Sequence, residues 1–403
     1  GDRDLCPLEV GPVGRSSRGW IGMALALLLL PAGLQAQELE IRSKSAILVD
    51  AQSGAVLYGY NEHEPLPPAS VTKIMTMVLA LEALAAGKVG WDDLVTTSEY
   101  AASMGGTQIW LEPGEQMTFR DLLYAVAVGS ANDAAVALAE HLAGSEAAFV
   151  EQMNARAREL GMKNTQFSNP SGLPPEALGH PGPHVSTAAD LAILSRHAVR
   201  LPHFLELTST YGPYTVREGT DAEVELYSYN DLLRIYPGMD GIKTGHTSAA
   251  GYCIAATAVR DHLRLIVVTL GAATRADRQA DVTRLLNYGF SQYRAAPVAQ
   301  KGEVVGQVAV ERGVAESVDV VPGEDFYVTL PRSSEAVPER EIRLQSRAAP
   351  LAAGTPVGEL IVRLDGQEVG RVPLVAAAAV ERASLGQLVW RVTRHAVDAL
   401  FGR

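Results

Sequence analysis

Two side chains that could do chemistry together stand three apart, Ser70 and Lys73 in Ala69-Ser70-Val71-Thr72-Lys73, at the head of an apolar run from Ile74 to Leu84 that reads as a buried helix. Helical spacing sets them on one face, within reach of each other. A hydroxyl with an amine beside it is a nucleophile carrying its own base. Pro67 and Pro68 suit a helix start, where the Ser70 N–H lacks an intrahelical acceptor and can serve an oxyanion. Taken alone, the same residues also read as an N-capping serine and a solvated lysine.

Two further groupings follow in the chain. Gly129-Ser130-Ala131-Asn132 sits between helical patterns at Phe119–Val128 and Asp133–Leu142. A Ser and an Asn two apart on a tight turn point into the same space, although either could simply cap the second helix. Ser228-Tyr229-Asn230 repeats the pattern. Asp240-Gly241-Ile242-Lys243-Thr244-Gly245-His246-Thr247 contains Lys-Thr-Gly without the Gly-x-x-x-x-Gly of a phosphate loop. Its plain reading is an edge-strand lysine with a turn glycine. Only six of the 34 basic residues are lysines, and two of the six, Lys73 and Lys243, fall in these groupings. Lysine, unlike arginine, can lose its proton when desolvated. A neutral base at working pH requires a drop of about three units from ~10.4, roughly 4 kcal/mol, and burial beside a second cation pushes that way.

The positioning elements are legible. Ala46–Asp50 and Ala55–Tyr60 read as a hairpin that leads into the Ser70 helix. Residues 92–118 are loop-rich, Glu146–Leu160 and Thr187–Arg200 are amphipathic helices, and a Pro/Gly/Asn loop spans Asn164–Pro183. His180 and His184 lie in that loop, read as loop residues rather than metal ligands; no His-Glu-x-x-His or similar cluster exists, so neither metal nor cofactor is implied. Strands at Gly251–Val259 and Leu263–Leu270 and a helix at Ala276–Tyr288 follow. Strands at both ends with helices between define an α+β domain.

Composition narrows the function. Arg15 and Arg18 ahead of an apolar stretch, Trp20–Leu30, then Pro31, Gly33 and Ala36, make residues 1–36 an expected signal peptide and the protein an exported one. Cleavage there removes Cys6 and leaves Cys253 alone, so no intramolecular disulfide can form and stability rests on a core. The net charge of −12 argues against nucleic acid as a partner.

Ser70-x-x-Lys73, Ser130-x-Asn132 and Lys243-Thr244-Gly245, in this order, resemble the three signature motifs of the serine penicillin-interacting enzymes. Their spacing, the wording around Lys243 and the region after Pro297 are most similar to the D-alanyl-D-alanine carboxypeptidases, the low-molecular-mass penicillin-binding proteins. One departure is Ala131, where that family usually has Gly. The resemblance implies a β-lactamase/transpeptidase-like domain at 37–293, an antiparallel sheet with an inserted helical subdomain. It implies that Ser70 forms an acyl-enzyme with the stem peptide of peptidoglycan and is acylated by β-lactam antibiotics. Lys73 would be the base, Ser130 the proton relay, and Asn132 a contact to the substrate backbone. The N–H groups of Ser70 and His246 would form the oxyanion hole, Lys243 and Thr244 would hold the terminal carboxylate with Arg278 as a further contact, and Gly245 belongs to the same substrate-binding stretch. A class A β-lactamase would need a Glu-x-x-Leu-Asn segment between Asn132 and Lys243, and none is present. A non-catalytic wall-binding scaffold is the other alternative.

Beyond the catalytic domain, 297–378 reads as a small all-β sandwich with no visible chemistry, and the family resemblance implies that it is a spacer. Residues 384–403 form an amphipathic helix. Leu385, Leu388, Val389 and Val392 line one face with Trp390 at its edge, and Arg391 and Arg394 lie opposite. Such a helix is expected to lie on a cytoplasmic membrane's outer face rather than cross it.

Overall fold

The computed structural model describes residues 39–180 and 182–401, with side chains as far as Arg394. The expected signal peptide lies outside the described residues. The first sheet is antiparallel and five-stranded. Its strands are β1 (Ser45–Asp50), β2 (Val56–Tyr60), β3 (Met239–Thr247), β4 (Gly251–Arg260) and β5 (Leu263–Ala272), in the order β2-β1-β5-β4-β3. Strand β3 is therefore an edge, and it carries Lys-Thr-Gly. Sequence placed this segment ahead of the strands, because Asp and two glycines weaken strand propensity. Register with β4, Lys243 opposite Ala255 and Gly245 opposite Cys253, holds it in the sheet instead.

Apolar residues line both faces of β1, as a sheet covered on two sides requires. Ile47 and Val49 join the core of the helical subdomain. Leu48 and Leu265 face the other way, against Gly289 of a long helix, where a Cβ would come within 2.5 Å of Leu265. The helices are α1 (Lys73–Ala85), α2 (Phe119–Ala127), α3 (Asn132–Ala143), α4 (Glu146–Leu160), α5 (Ala188–Ala198) and α6 (Arg275–Gln292). Each of α2, α4, α5 and α6 is started by a side chain that accepts from the helix's own backbone: Thr118, Ser145, Thr187 and Thr274. The span 92–118 holds more than loop. Leu94–Thr96 pairs with Gln116–Thr118, strands too short for a periodicity signal.

Helix α6 runs straight into the strand Tyr293–Ala299, which pairs with Phe326–Pro331. These two strands and a six-stranded sheet enclose a second apolar core that includes Val298, Phe326, Leu330, Val357, Leu360 and Leu374. This all-β unit follows the alternation read from the sequence, for example buried Val308 and Val310 on either side of exposed Ala309. It meets the first domain through Thr329 Oγ1, which donates to Asp50 Oδ1 at 2.8 Å, and through His262 stacked on Tyr327. Helix α7 (Leu385–Phe401) closes the described chain.

Candidate active site

The site forms where edge strand β3 meets the start of α1. A single 3-10 turn, Ala69–Thr72, precedes α1, so Ser70 and Lys73 still share one face. Lys73 Nζ lies 3.0 Å from Ser70 Oγ. It also lies 2.6 Å from Asn132 Oδ1 and 2.6 Å from the carbonyl oxygen of Ser171. Those last two can only accept. An ammonium would donate to all three oxygens, whereas a neutral amine, with two N–H groups and one lone pair, would donate to Asn132 and Ser171 and turn its lone pair to the Ser70 hydroxyl. The electrostatics favour the neutral amine: complete burial, then the charge of Lys243, hold Lys73 well below the ordinary lysine range, against a smaller opposing effect of Asp133.

Asn132 is the first residue of α3, and the preceding cap residue, Ala131, makes no side-chain cap bond. Neither Ser130 nor Asn132 caps the helix. Asn132 Nδ2 instead donates to Gly105 O at 2.7 Å, which fixes the amide so that Oδ1 meets Lys73. Ser130 stands in the left-handed region, φ 58°, an uncommon state for a serine that turns its side chain to the cleft. Two glycines permit the approach of the walls. A Cβ on Gly245 would come within 2.8 Å of the Ser70 nitrogen, and one on Gly172 within 1.9 Å of Ala69 O. The second contact is what lets the 164–183 loop press its Ser171 carbonyl onto Lys73.

The cleft has a volume of about 340 Å³ and is lined by Ser70, Ser130, Thr244, Gly245, His246 and Arg278, with Thr107, Tyr229, Tyr252 and Arg275. Lys73, Asn132 and Lys243 are buried behind its wall. Lys243 Nζ has one hydrogen-bond acceptor among the described residues, Thr244 O at 3.1 Å. Burial and then Arg278 pull it down to about 7. Arg278 is buried too, and its Nε has no partner among the described residues. Burial and then Arg275 lower it to about 10. Arg275 itself pairs with Asp231. Lys243 and Arg278, buried beside the nucleophile and in no ion pair among the described residues, form a receptor for an anion that comes with the substrate.

Sequence reasoning singled out neither Ser171 nor Asp133. Asp133 is fully buried and accepts from the backbone of Ile109 and Leu111, at 3.1 and 3.0 Å, so it pins the loop that carries Thr107. Its signal was its place directly after Asn132. His184 is a buried brace. Ser168 N donates to Nδ1 at 3.0 Å, so Nε2 carries the hydrogen toward Thr72 Oγ1 at 2.7 Å. Burial, then Lys73, lower it to about 4, consistent with a neutral ring.

An antiparallel sheet with inserted helices and a Ser–Lys pair at their junction defines a serine acyl-transfer enzyme of the penicillin-binding class. The family described as D-alanyl-D-alanine carboxypeptidase matches residues 32–274, and the penicillin-binding protein 5 C-terminal domain matches 293–382. The D-alanyl-D-alanine carboxypeptidase DacF of Bacillus subtilis is 40% identical over 353 residues, covering 87% of this chain and 89% of that protein. DacC of Escherichia coli is 33% identical over 400 residues, 94% and 96% of the two chains. Among solved structures, a peptidoglycan synthesis regulatory factor (PBP3) of Streptococcus pneumoniae aligns with TM-score 0.71 at 30% identity, covering 85% of this chain and all of that one. Penicillin-binding protein D2 of Listeria monocytogenes, in its ampicillin-bound form, aligns at 0.53 and 36% identity over 63% of this chain and 99% of its own. The chain belongs to the D-alanyl-D-alanine carboxypeptidase family, whose members are serine-type hydrolases.

Proposed function

We propose that this protein removes the terminal D-alanine from peptidoglycan stem peptides, with Ser70 as nucleophile, Lys73 as base and Ser130 as proton relay. The observation that carries this reading is the 3.0 Å contact between Ser70 Oγ and the Nζ of a fully buried Lys73, which burial and then the charge of Lys243 hold well below the ordinary lysine range. Lys73 takes the hydroxyl proton as Ser70 Oγ attacks the carbonyl between the two D-alanines. The Ser70 and His246 N–H groups hold the resulting oxyanion, each contributing about 3 kcal/mol. The C–N bond then breaks, the departing amine receives its proton from Lys73 by way of Ser130, and free D-alanine leaves. Water, deprotonated by Lys73, hydrolyses the ester and restores Ser70.

The free edge of β3 suits an extended peptide added as a further strand. Its terminal carboxylate would meet Lys243, Thr244 and Arg278, beside Gly245. Asn132 has one remaining Nδ2 hydrogen for a substrate carbonyl. A β-lactam enters as the same acyl donor, and the absent Glu-x-x-Leu-Asn segment favours slow release of the drug. Residues 37–293 carry the chemistry, and 297–378 act as a spacer.

Export through residues 1–36 and attachment to the outer face of the cytoplasmic membrane complete the proposal. Helix α7 supports it. Leu385 and Val392 are 83% and 70% exposed, while Arg391 turns to the β domain, donates to the carbonyls of Gly313 and Val314 at 2.9 Å and pairs with Glu316. The apolar face is thus not spent on the β domain. No helix among the described residues is long and apolar enough to cross a membrane. The test of the activity is incubation with diacetyl-Lys-D-Ala-D-Ala while free D-alanine is followed: release that Ser70→Ala abolishes supports the proposal, and no release rejects it.

A further inference from the structure

The 164–183 loop is tied to α1 by two successive carbonyls. Lys73 Nζ and Thr76 Oγ1, three positions apart on one helix face, donate to Ser171 O at 2.6 Å and to Pro170 O at 2.7 Å. Gly172 lets the backbone come this close, but closeness does not aim a carbonyl. Two carbonyls in a row that face one helix require a turn, and the side chain of Asn169 holds it. Its Oδ1 accepts from Ser171 N at 3.1 Å, Ser171 Oγ at 3.0 Å and Gly172 N at 2.7 Å. Its Nδ2 donates to Leu173 O at 2.9 Å. Backbone N–H groups on one side and a carbonyl on the other fix which way the amide points. Asn169 is fully buried and stands behind the cleft, outside its lining.

We infer that Asn169 is a positioning residue for acylation: it aims the Ser171 carbonyl at Lys73, so that the base has an acceptor in place before the proton arrives. The inference rests on the Ser70–Lys73 reading above and adds a residue to it. When Lys73 takes the Ser70 proton it becomes an ammonium ion, and its hydrogen bonds to Ser171 O and Asn132 Oδ1 become charge-assisted. An acceptor already set by a buried turn needs no reorganisation at that moment, whereas a loose carbonyl must first be brought round. Asn154 of α4 supplies a comparison. It holds the same loop at Phe167, accepting from the Phe167 N–H and donating to its carbonyl, both at 2.8 Å, but takes no part in the turn.

The rate of acylation by penicillin, read by intact mass across a range of pH, tests it in the wild type, Asn169→Ala, Asn169→Ser and Asn154→Ala. Asn169→Ala should lower the plateau rate about tenfold to a hundredfold. Its acid limb should move to lower pH by about one unit, because a lost acceptor disfavours the ammonium form of Lys73. Lys243 on β3, Asp133 on α3 and His184 on the loop, the charged and titratable groups around Lys73, are replaced in none of these variants. A serine hydroxyl holds this kind of turn more weakly, so Asn169→Ser should fall between alanine and the wild type on both measures. Asn154→Ala should lose melting temperature and keep the wild-type rate and limb. A wild-type rate in Asn169→Ala, a slower rate with an unmoved limb, or the same shift in Asn154→Ala would each overturn the inference. If Asn169→Ala does not fold, a wild-type rate or an unmoved limb in Asn169→Ser counts against it in the same way. A wild type that penicillin does not label would overturn the Ser70–Lys73 reading itself.

Discussion

Replacing Lys243 by Met should make the protein lose a pH dependence of its stability that the buried amine imposes. In the folded chain Lys243 is held at about 7, against an ordinary value of 10.5. Between those values the unfolded chain holds a proton that the folded chain does not, so wild-type stability rises with pH through that window. Below 7 both states are charged and the slope from this group vanishes, and above 10.5 both are neutral. From pH 7.5 to 9.5 the gain from Lys243 alone is at most about 2.7 kcal/mol, at 1.36 kcal/mol per unit. Urea unfolding of the wild type and Lys243→Met at both pH values measures it, with the difference between the two slopes assigned to Lys243. The variant should also be at least as stable as the wild type at pH 7, since a buried unpaired cation has been replaced by an apolar chain of similar size. Its KM for the peptide should rise about tenfold to a hundredfold, the loss of a charge-assisted bond of ~1.5–3 kcal/mol to the carboxylate. Parallel pH slopes in the two proteins, or an unchanged KM, would refute the picture of Lys243 as a desolvated carboxylate receptor.

Three further outcomes follow from the same geometry. Lys73→Arg should abolish acylation of Ser70 although the charge is kept, because a guanidinium cannot act as the base; labelling by penicillin, read by intact mass, checks it. Gly245→Ala places a Cβ within 2.8 Å of the Ser70 nitrogen and 3.0 Å of Pro68 O and Val71 N, all backbone atoms that must shift, so the acylation rate should fall about a hundredfold or more as an oxyanion donor is displaced, and the melting temperature should fall with it. Deleting residues 384–403 should free the protein from liposomes of bacterial lipid and leave D-alanine release unchanged, whereas equal binding with and without the segment would end the anchor proposal.

The helices that hold the site were legible because their periodicity and caps agree. Glu146–Leu160 has the bounds its apolar spacing indicates, and Ser145 caps it. The order of Ser70-Lys73, Ser130-Asn132 and Lys243-Thr244-Gly245 was legible through residue type and spacing. What stayed hidden depends on backbone groups and long-range pairing. Ser171 contributes a carbonyl, which every residue possesses, and only the approach of Gly172 to Ala69 brings it to Lys73. Strand β3 reads locally as an edge-strand lysine followed by a turn glycine, and only pairing with β4 carries the strand on through Gly245 to Thr247. Ser130 and Asn132 looked like caps because local sequence carries no trace of Lys73, 59 positions away from Asn132. Arg278, by contrast, is placed by the regular helix α6.

The central claim is that Ser70 is acylated with Lys73 as a neutral base, and it is tested most directly by the intact mass of the protein after mixing with penicillin, followed by peptide mapping. A single adduct on the peptide that contains Ser70, absent in Ser70→Ala and Lys73→Arg and lasting far longer than turnover of diacetyl-Lys-D-Ala-D-Ala, is the predicted result. An adduct elsewhere, none at all, or full labelling in Lys73→Arg would contradict it.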